Sequence, residues 1–343
     1  MIRYLRLSIS ICLFAAFLYL ATNYKDCIYL LGQARGQIHV LMATESLTSY
    51  ASKGNLSEQE RANIELAEKV KKYSCDSLGY LPTSNFTTVY DQHDAPVLWV
   101  ITASEALDLK AYYWKFPIVG KVNYKGFFKK ENAEIEANKL ICKNYDVDLR
   151  SVSAWSTLGW FSDPLMSNML KRNKADICDL LFHELFHATC YIPGKVDFNE
   201  NVASFIARKA TQKYLRSDTI AIRDYNERKI ERDLVNRYVM KRAAELRIYY
   251  DSISGFRNAR ELKLKKIYQI SEGLKILPVK SKNLIEYHRK SMIEQKNAYF
   301  IDFEQYDSMQ DSLESVFNKF YKGDLKKLVQ DLKQNQTIIT FGN

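Results

Sequence analysis

The chain has few of the residues that interrupt or cross-link a fold. Its 343 residues include only 6 prolines and 12 glycines, so long structureless segments are not expected. Its 6 cysteines match neither a CxxC zinc pattern nor a dense disulfide framework, which excludes a small disulfide-stapled protein. Histidine is scarcer still, with 5 in the chain. The length and an apolar fraction of 47% allow one large domain or two closely packed ones.

The chain is basic, with a net charge of +10, but its basic residues are interleaved with acidic ones. Within residues 227–242, for example, lysines and arginines are interrupted by Glu231 and Asp233. No basic motif with stacking aromatic residues stands out, so we expect no nucleic-acid partner. The positive charge is interpreted as an aid to solubility and a weak attraction to anionic surfaces.

One long uncharged apolar run is present at residues 7–24, LSISICLFAAFLYLATNY, after Arg3 and Arg6. Its length just reaches that of a membrane-spanning helix. Positive charge before the run favours export of the remainder of the chain. We therefore predict that residues 1–27 anchor the protein in a membrane, with its body on the extracytoplasmic side, either periplasmic or outer. Secretion after cleavage of a signal peptide is the alternative.

Helical periodicity dominates the remainder, and β-rich runs occur only in its first half. A capping-box pattern of Ser57 and Glu60 marks one helix start. We predict one α+β domain, mainly helical, over residues 28–343, with helices and a small sheet in 28–175 and helices in 176–343. The predicted strands are 96–101, 116–124 and 147–155, and the predicted helices are 29–49, 57–78, 129–144, 176–191, 198–214, 219–250, 256–271, 282–300 and 309–335.

The clearest chemical motif is His-Glu-Leu-Phe-His at residues 183–187, on a helix whose predicted N-cap is Asp176. Four residues apart on a helix, His183 and His187 point from one face and can bind the same zinc ion. Glu184 lies about 100° around the helix from His183. It is placed to act on a water held by the metal rather than to bind the metal itself.

A zinc peptidase needs a third protein ligand and one open coordination position. The HExxHxxGxxH pattern is excluded because Cys190 and Pro193 stand where its glycine and third histidine would be. The next predicted helix offers Glu200, and the twelve residues between His187 and Glu200 suffice for a turn and a return. Asp197 is the alternative ligand, although it precedes that predicted helix.

Several further stretches, from about residue 28 to the C-terminus, resemble the predicted bacterial zinc aminopeptidases, a zincin family with gluzincin-like ligands. These stretches are 31–37 (LGQARGQ), 116–126 (FPIVGKVNYKG), 157–165 (TLGWFSDPL), 181–187 (LFHELFH), 198–200 (FNE) and 297–298 (NA). The resemblance implies a zincin-like metallopeptidase domain in which His183, His187 and Glu200 hold one zinc ion. It also implies that Glu184 is catalytic and that peptides are cut at their N-termini. Ser204 is a departure, because thermolysin-like relatives carry an acid there.

The resemblance further implies that a peptide substrate lies along a strand edge near the zinc helix. Val147–Trp155 is the predicted strand nearest in sequence, and residues 157–164 would form the mouth of the cleft. Trp155 and Trp160 are candidate substrate-binding residues, although core packing would explain them equally well. Asp163 is a candidate partner for a free α-amino group, or it begins a turn before the following proline.

These observations together predict a zinc-dependent peptidase that acts on peptide N-termini, with Glu184 as general base and one zinc ion as cofactor. Three alternatives stay open: a zinc endopeptidase, a zinc hydrolase of non-peptide amides, and a membrane-anchored binding protein with a non-catalytic zinc site. The motif does not separate them, because it does not encode the leaving group. The sequence also leaves the oligomeric state undefined.

Overall fold

The described part of the chain is mainly helical, with its strands confined to the first half. The computed structural model describes residues 23–116, 120–152, 162–192, 194–307 and 309–334. The strands are β1 (Thr44–Ser46), β2 (Thr88–Tyr90), β3 (Leu98–Ser104), β4 (Trp114–Phe116), β5 (Gly120–Val122), β6 (Tyr124–Phe127), β7 (Asp146–Val152) and β8 (Leu165–Met166). This distribution confirms the mainly helical α+β prediction.

The helices flank these strands and fill the second half of the chain. They are α1 (Tyr24–Met42), α2 (Leu47–Ala51), α3 (Glu58–Leu78), α4 (Lys130–Cys142), α5 (Lys174–His187), α6 (Val196–Tyr214), α7 (Thr219–Ile253), α8 (Ala259–Gly273), α9 (Lys282–Gln295), α10 (Asn297–Asp307), α11 (Gln310–Tyr321) and α12 (Leu325–Gln334). Short 3₁₀ helices occupy Ser167–Lys171 and Leu274–Ile276. The capping box of Ser57 and Glu60 at the start of α3 is confirmed.

Three small sheets organise the first half. In the antiparallel sheet β6-β3-β7, Trp99 lies opposite Phe127 on one side and Ser151 on the other. A second sheet has the order β1-β2-β8, in which β2 and β8 are parallel and Val89 lies opposite Leu165. The third is the β4-β5 hairpin. The β2–β8 pairing brings the chain directly to the 3₁₀ turn that precedes α5.

The largest hydrophobic core spans both halves of the chain. It includes Val70 of α3 and Leu165 of β8, together with the buried residues of α5 and α6 and Val329 of α12. In α5, Leu181 and Phe182 are completely buried. A second core lies among α7, α8, α9 and α10, and a third lies between α4 and the β6-β3-β7 sheet. The helices that carry the motif are therefore held from several sides.

Several predicted boundaries were wrong for identifiable local reasons. The predicted helix 29–49 ends at Met42 and is followed by β1 and α2, which starts where the Ser46 side chain accepts from the backbone N–H of Ser49. The predicted strand 116–124 is divided among β4, β5 and β6, with Gly120 at a φ of 81° beside the hairpin. The left-handed region is readily available to glycine, which favours a turn there.

Two long predicted helices are each divided in the structure. The predicted helix 282–300 breaks at Lys296, whose φ is 53°, and the predicted helix 309–335 breaks at Lys322 and Gly323. A residue in the left-handed region ends an α-helix. The predicted cap was also misplaced: Asn173, not Asp176, caps α5, because its side chain accepts from the backbone N–H of Asp176 at 3.0 Å.

Two predictions concern residues outside the described ranges. Most of the predicted membrane anchor falls within residues 1–22, and the last three residues of the predicted strand 147–155 fall within residues 153–161. Among the described residues, no helix combines the length and apolar character needed to cross a bilayer.

Candidate active site

Two buried asparagines, Asn199 and Asn201, flank Glu200 and anchor the start of α6 through hydrogen bonds. Asn199 pairs with the backbone of Ile192, accepting from its N–H at 3.0 Å and donating to its carbonyl at 2.8 Å. Asn201 is fully buried, donates to the Asp197 carbonyl at 2.8 Å and accepts from the backbone N–H of Met309, just before α11, at 3.0 Å. These contacts close the loop between α5 and α6 and fix the helix turn that carries Glu200.

The structure brings His183, His187 and Glu200 together. The two Nε2 atoms lie 3.0 Å apart, His183 Nε2 lies 3.2 Å from Glu200 Oε2, and His187 Nε2 lies 3.5 Å from Glu200 Oε1. One ligand atom from each residue lies within 4.8 Å of the others. Asp197, the alternative third ligand, is exposed in the first turn of α6 and is not part of this cluster.

These separations suit a tetrahedral zinc ion. Zinc–nitrogen and zinc–oxygen bonds of about 2.0–2.1 Å at tetrahedral angles place neighbouring ligand atoms about 3.3 Å apart. The two Nε2 atoms lie 3.0 Å apart, and the nearest carboxylate oxygens lie at 3.2 Å (Oε2, from His183) and 3.5 Å (Oε1, from His187), so each histidine approaches a different oxygen of Glu200 at close to that distance. Two imidazole nitrogens and one carboxylate oxygen are also a donor set that zinc accepts in catalytic sites. The residues present therefore fit the metal that the motif implies.

Burial and mutual contact set the charge states of the triad. Burial opposes charge on His183, but its hydrogen bond to Glu200 and the charge of Glu184 outweigh that effect and raise its pKa. Burial, assisted by His183, lowers the pKa of His187 to about 4. Burial acts to raise the pKa of Glu200, yet the contacts with both histidines lower it overall. A neutral His187 and an ionised Glu200 are the forms that bind metal.

Glu184 follows His183 on α5 and stands apart from the triad. Burial raises its pKa to about 7, and the charges of Glu200 and Asp163 add to this shift against the opposing effect of His183. Among the described residues, neither Glu184 nor Glu200 forms an ion pair with a lysine or arginine. A carboxyl group whose pKa lies near 7 suits general acid–base chemistry near neutral pH.

The Nδ1 atoms of His183 and His187, which point away from the shared Nε2 cluster, have different surroundings. Ser204, one turn after Glu200 on α6, places its Oγ 3.4 Å from His183 Nδ1. His187 Nδ1 is buried, and no hydrogen-bond partner for it is found among the described residues. The hydroxyl of Ser204 is therefore the contact that orients the first histidine, while packing orients the second.

Asp163 is buried, and its backbone is held by a turn from the first half of the chain. Its N–H donates to Asn85 Oδ1 at 3.1 Å, and its carbonyl accepts from the Phe86 N–H at 2.7 Å. The contribution of Asp163 to the raised pKa of Glu184 associates it with the site. The other candidate substrate-binding residues, Trp155 and Trp160, lie outside the described residues.

Two tyrosines near the site were missed by sequence reasoning. Tyr191 follows α5, and its ring centroid lies 6.4 Å from that of His187. Tyr124 opens β6, and desolvation together with the charges of Tyr191 and Glu200 raises its pKa. Tyr124 could not have been found from spacing, because only the sheet brings β6 towards α6.

The fold and the site define an α+β protein with a His-His-Glu cluster suited to a metal and an adjacent carboxyl group. Residues 28–338 match the model of a family described as "Putative aminopeptidase". The chain therefore belongs to this family, which supports a peptidase activity. Searches of curated proteins and of solved structures returned no significant match.

Proposed function

We propose that the protein is a zinc-dependent aminopeptidase with a zincin-like fold. The observation that carries this proposal is the convergence of the ligand atoms of His183, His187 and Glu200, with Glu184 on the same helix turn. Family membership supports peptide hydrolysis, and the donor set supports zinc. When held by the triad, a zinc ion would acidify a coordinated water and polarise the scissile carbonyl.

The residues around the triad have separate roles in this proposal. Glu184 accepts a proton from the attacking water and returns it to the leaving amine. The phenols of Tyr124 and Tyr191 are protonated at neutral pH, as is ordinary for tyrosine, so they can donate hydrogen bonds. Such donors stabilise negative charge that develops on the carbonyl oxygen.

Selection of the peptide N-terminus is assigned to Asp163. A free α-amino group is cationic below about pH 7.7 and therefore seeks an anion that is not bound to the metal. Asp163 fits this role because it is buried and acts electrostatically on Glu184 without joining the triad. Trp155 and Trp160 stay candidates for binding the first side chain of the substrate.

The decisive experiment measures zinc and cleavage in the same purified full-length preparation. We expect one zinc ion per chain and cleavage of peptides with a free N-terminus in preference to their N-acetylated counterparts. Equal cleavage of both kinds of peptide would instead indicate an endopeptidase. Bound zinc without any peptide turnover would leave a binding protein with a non-catalytic site, and cleavage confined to non-peptide amides would redefine the substrate class.

We also propose that residues 1–27 anchor the protein in a membrane, with its body on the extracytoplasmic side. The support is the uncharged apolar run at residues 7–24 after Arg3 and Arg6. A reporter fused after residue 30 should be exported, and the protein should resist extraction from membranes by salt. A reporter that stays in the cytosol would contradict both the anchor and the cleaved signal peptide.

A further inference from the structure

The outward face of α1 is apolar where a helix on a water-soluble body would be polar. Five of its residues are large, hydrophobic and between 52% and 81% exposed: Tyr24, Ile28, Leu31, Ile38 and Met42. Together with Arg35, they follow one another at intervals of four and three residues. At about 100° per residue, all six lie within roughly 40° of a single line along the helix. We call this set the α1 stripe.

The opposite face of α1 already has its partners. Tyr29 stacks on Phe116 with ring centroids 5.4 Å apart, and its hydroxyl donates to the Gly126 carbonyl at 2.9 Å. Val40 is buried in the largest core. The α1 stripe is therefore a second apolar face, left over after the helix has packed on the body. Contiguous exposed apolar surface of this kind marks an interaction site.

The charges around the α1 stripe are predominantly positive. A groove of about 1450 Å³ runs beside α1, and its lining includes Lys25, Arg35, Lys115 and Lys129. Two described acids also line it, Asp26 and Glu136. Glu136 is already engaged: it accepts from Trp114 Nε1 at 3.0 Å and pairs with Lys125 at 3.2 Å. The groove thus has uncompensated positive charge next to apolar side chains.

We propose that the α1 stripe docks on the surface of an anionic lipid bilayer. Its apolar side chains would enter the boundary between headgroups and acyl chains, and Lys25, Arg35, Lys115 and Lys129 would face lipid phosphates. The apolar run at residues 7–24 ends where the stripe begins, which brings α1 to the bilayer surface if that run is inserted. This proposal does not depend on the peptidase activity.

A second copy of the chain fits this surface less well. Paired α1 stripes would bring Arg35 of one copy close to the same residue of the other. Asp26, the acid of α1, lies roughly 160° around the helix from the line of the stripe and is half-buried, so the stripe offers no carboxylate to compensate. Like charges at a helix–helix seam are destabilising, whereas an anionic surface attracts both Lys25 and Arg35.

The test measures how fast a charged maleimide modifies single cysteines in the full-length chain. Serine replaces four native cysteines, Cys12, Cys27, Cys75 and Cys142, and the buried pair is retained. Leu31→Cys then reports on the stripe, and Ile248→Cys, at an equally exposed position on α7, is the matched control. Vesicles containing phosphatidylglycerol are compared with vesicles of phosphatidylcholine alone.

On phosphatidylglycerol vesicles, we expect modification at residue 31 to slow roughly ten-fold or more, and modification at residue 248 to stay unchanged. Replacing Lys25 or Arg35 by glutamine should weaken this protection by roughly five-fold per charge. Unchanged modification at residue 31 on both kinds of vesicle would overturn the proposal. Efficient oxidation of Leu31→Cys into covalent dimers would also overturn it and assign the stripe to a second copy.

Discussion

Two groups of ionisable side chains in the interior of this protein differ in how their charges are paired. One, here called the junction network, joins the β6-β3-β7 sheet to α8 and α10 and consists of Asp146, Asp148, Arg150, Lys263 and Asp302. Lys263 pairs with Asp146, and Arg150 bridges Asp148 and Asp302. Asp146 also accepts from the backbone N–H of Asn297 at 3.0 Å, at the point where α9 breaks and α10 begins.

The candidate metal-binding cluster of His183, His187 and Glu200 has no ion pair with a lysine or arginine among the described residues, and the contact between His183 and Glu200 is its main compensation. Its one carboxylate contacts two histidines, one of which resists protonation, and Glu184 beside it has a raised pKa. Burying a carboxylate that is only partly compensated is costly, so a bound cation would stabilise a cluster of this kind. The comparison teaches that the junction network serves structure, whereas the triad is arranged to bind something.

The largest effect should follow from removing a ligand of the triad. His183→Ala, His187→Ala and Glu200→Ala should each reduce the zinc content from one ion per chain to almost none and abolish peptide cleavage, because two ligands hold zinc poorly. Metal analysis of purified protein is the measurement. Asp197→Ala is the matched control and should keep its zinc. Full retention of zinc by the Glu200 variant would show that another residue is the third ligand.

Breaking the junction network should affect stability rather than metal. Lys263→Met leaves the Asp146 carboxylate buried without its cation, which should lower the free energy of unfolding by about 3–5 kcal/mol. Denaturant unfolding measures this loss, and zinc per folded chain should not change. Adding Asp146→Leu should recover much of the stability, because the uncompensated charge is then gone. If Lys263→Met lost zinc but kept its stability, the junction network would not have the purely structural role assigned to it.

Glu184→Gln should separate catalysis from metal binding at the cluster of His183, His187 and Glu200. The amide cannot accept a proton from water, so turnover should fall by about two or more orders of magnitude while zinc stays bound. Steady-state cleavage of a free peptide, together with metal analysis, provides both readouts. Turnover close to that of the unmodified protein would rule out Glu184 as the general base.

Asp163→Asn should have a smaller and more selective effect. If the carboxylate binds the substrate amine, its loss should cost about 1.5–3 kcal/mol, or roughly ten- to a hundred-fold, for peptides with a free N-terminus. N-acetylated peptides should be affected much less, and zinc should remain. An equal loss for both kinds of peptide would indicate that this buried residue only supports the fold.

The smallest effect is a pH dependence of stability from the junction network. Burial, reinforced by Asp148 against the opposing charge of Arg150, raises the pKa of Asp302 to about 6. The folded chain therefore holds a proton that the unfolded chain has released, and stability from this group declines as the pH rises from about 4 to 6. The decline should be at most roughly 2–3 kcal/mol. Between about pH 4 and pH 7, the stability of the Asp302→Asn variant should rise by that amount relative to the unmodified chain. If the free energy of unfolding of the two proteins changes with pH in the same way, this assignment is refuted.

The parts of the site that could be predicted from sequence are those set by local geometry. Two histidines four residues apart on a helix must share a face, whatever surrounds the helix. Glu200 was preferred over Asp197 because Asp197 was predicted to precede the helix; α6 in fact begins at Val196 and includes both, and Glu200 is the one that lies beside the histidines. Helix ends were less predictable: α9 ends just before Lys296, whose positive φ is not signalled by its side chain, and the next residue, Asn297, donates its N–H to the distant Asp146.

The sequence by itself determined the class of fold and the position of the His-Glu-x-x-His motif with Glu184 beside its first histidine, because periodicity and short spacing act within a few turns of helix. Tertiary structure alone decided what supports them. Asn199 and Asn201 hold the helix turn that carries Glu200, and the Ser204 hydroxyl contacts His183. Tyr124 is contributed by β6 of the β6-β3-β7 sheet. The Asn199 contact closes a short loop, but the contact of Asn201 with Met309 joins segments more than a hundred residues apart, and no local pattern encodes which distant group will fill a buried polar position.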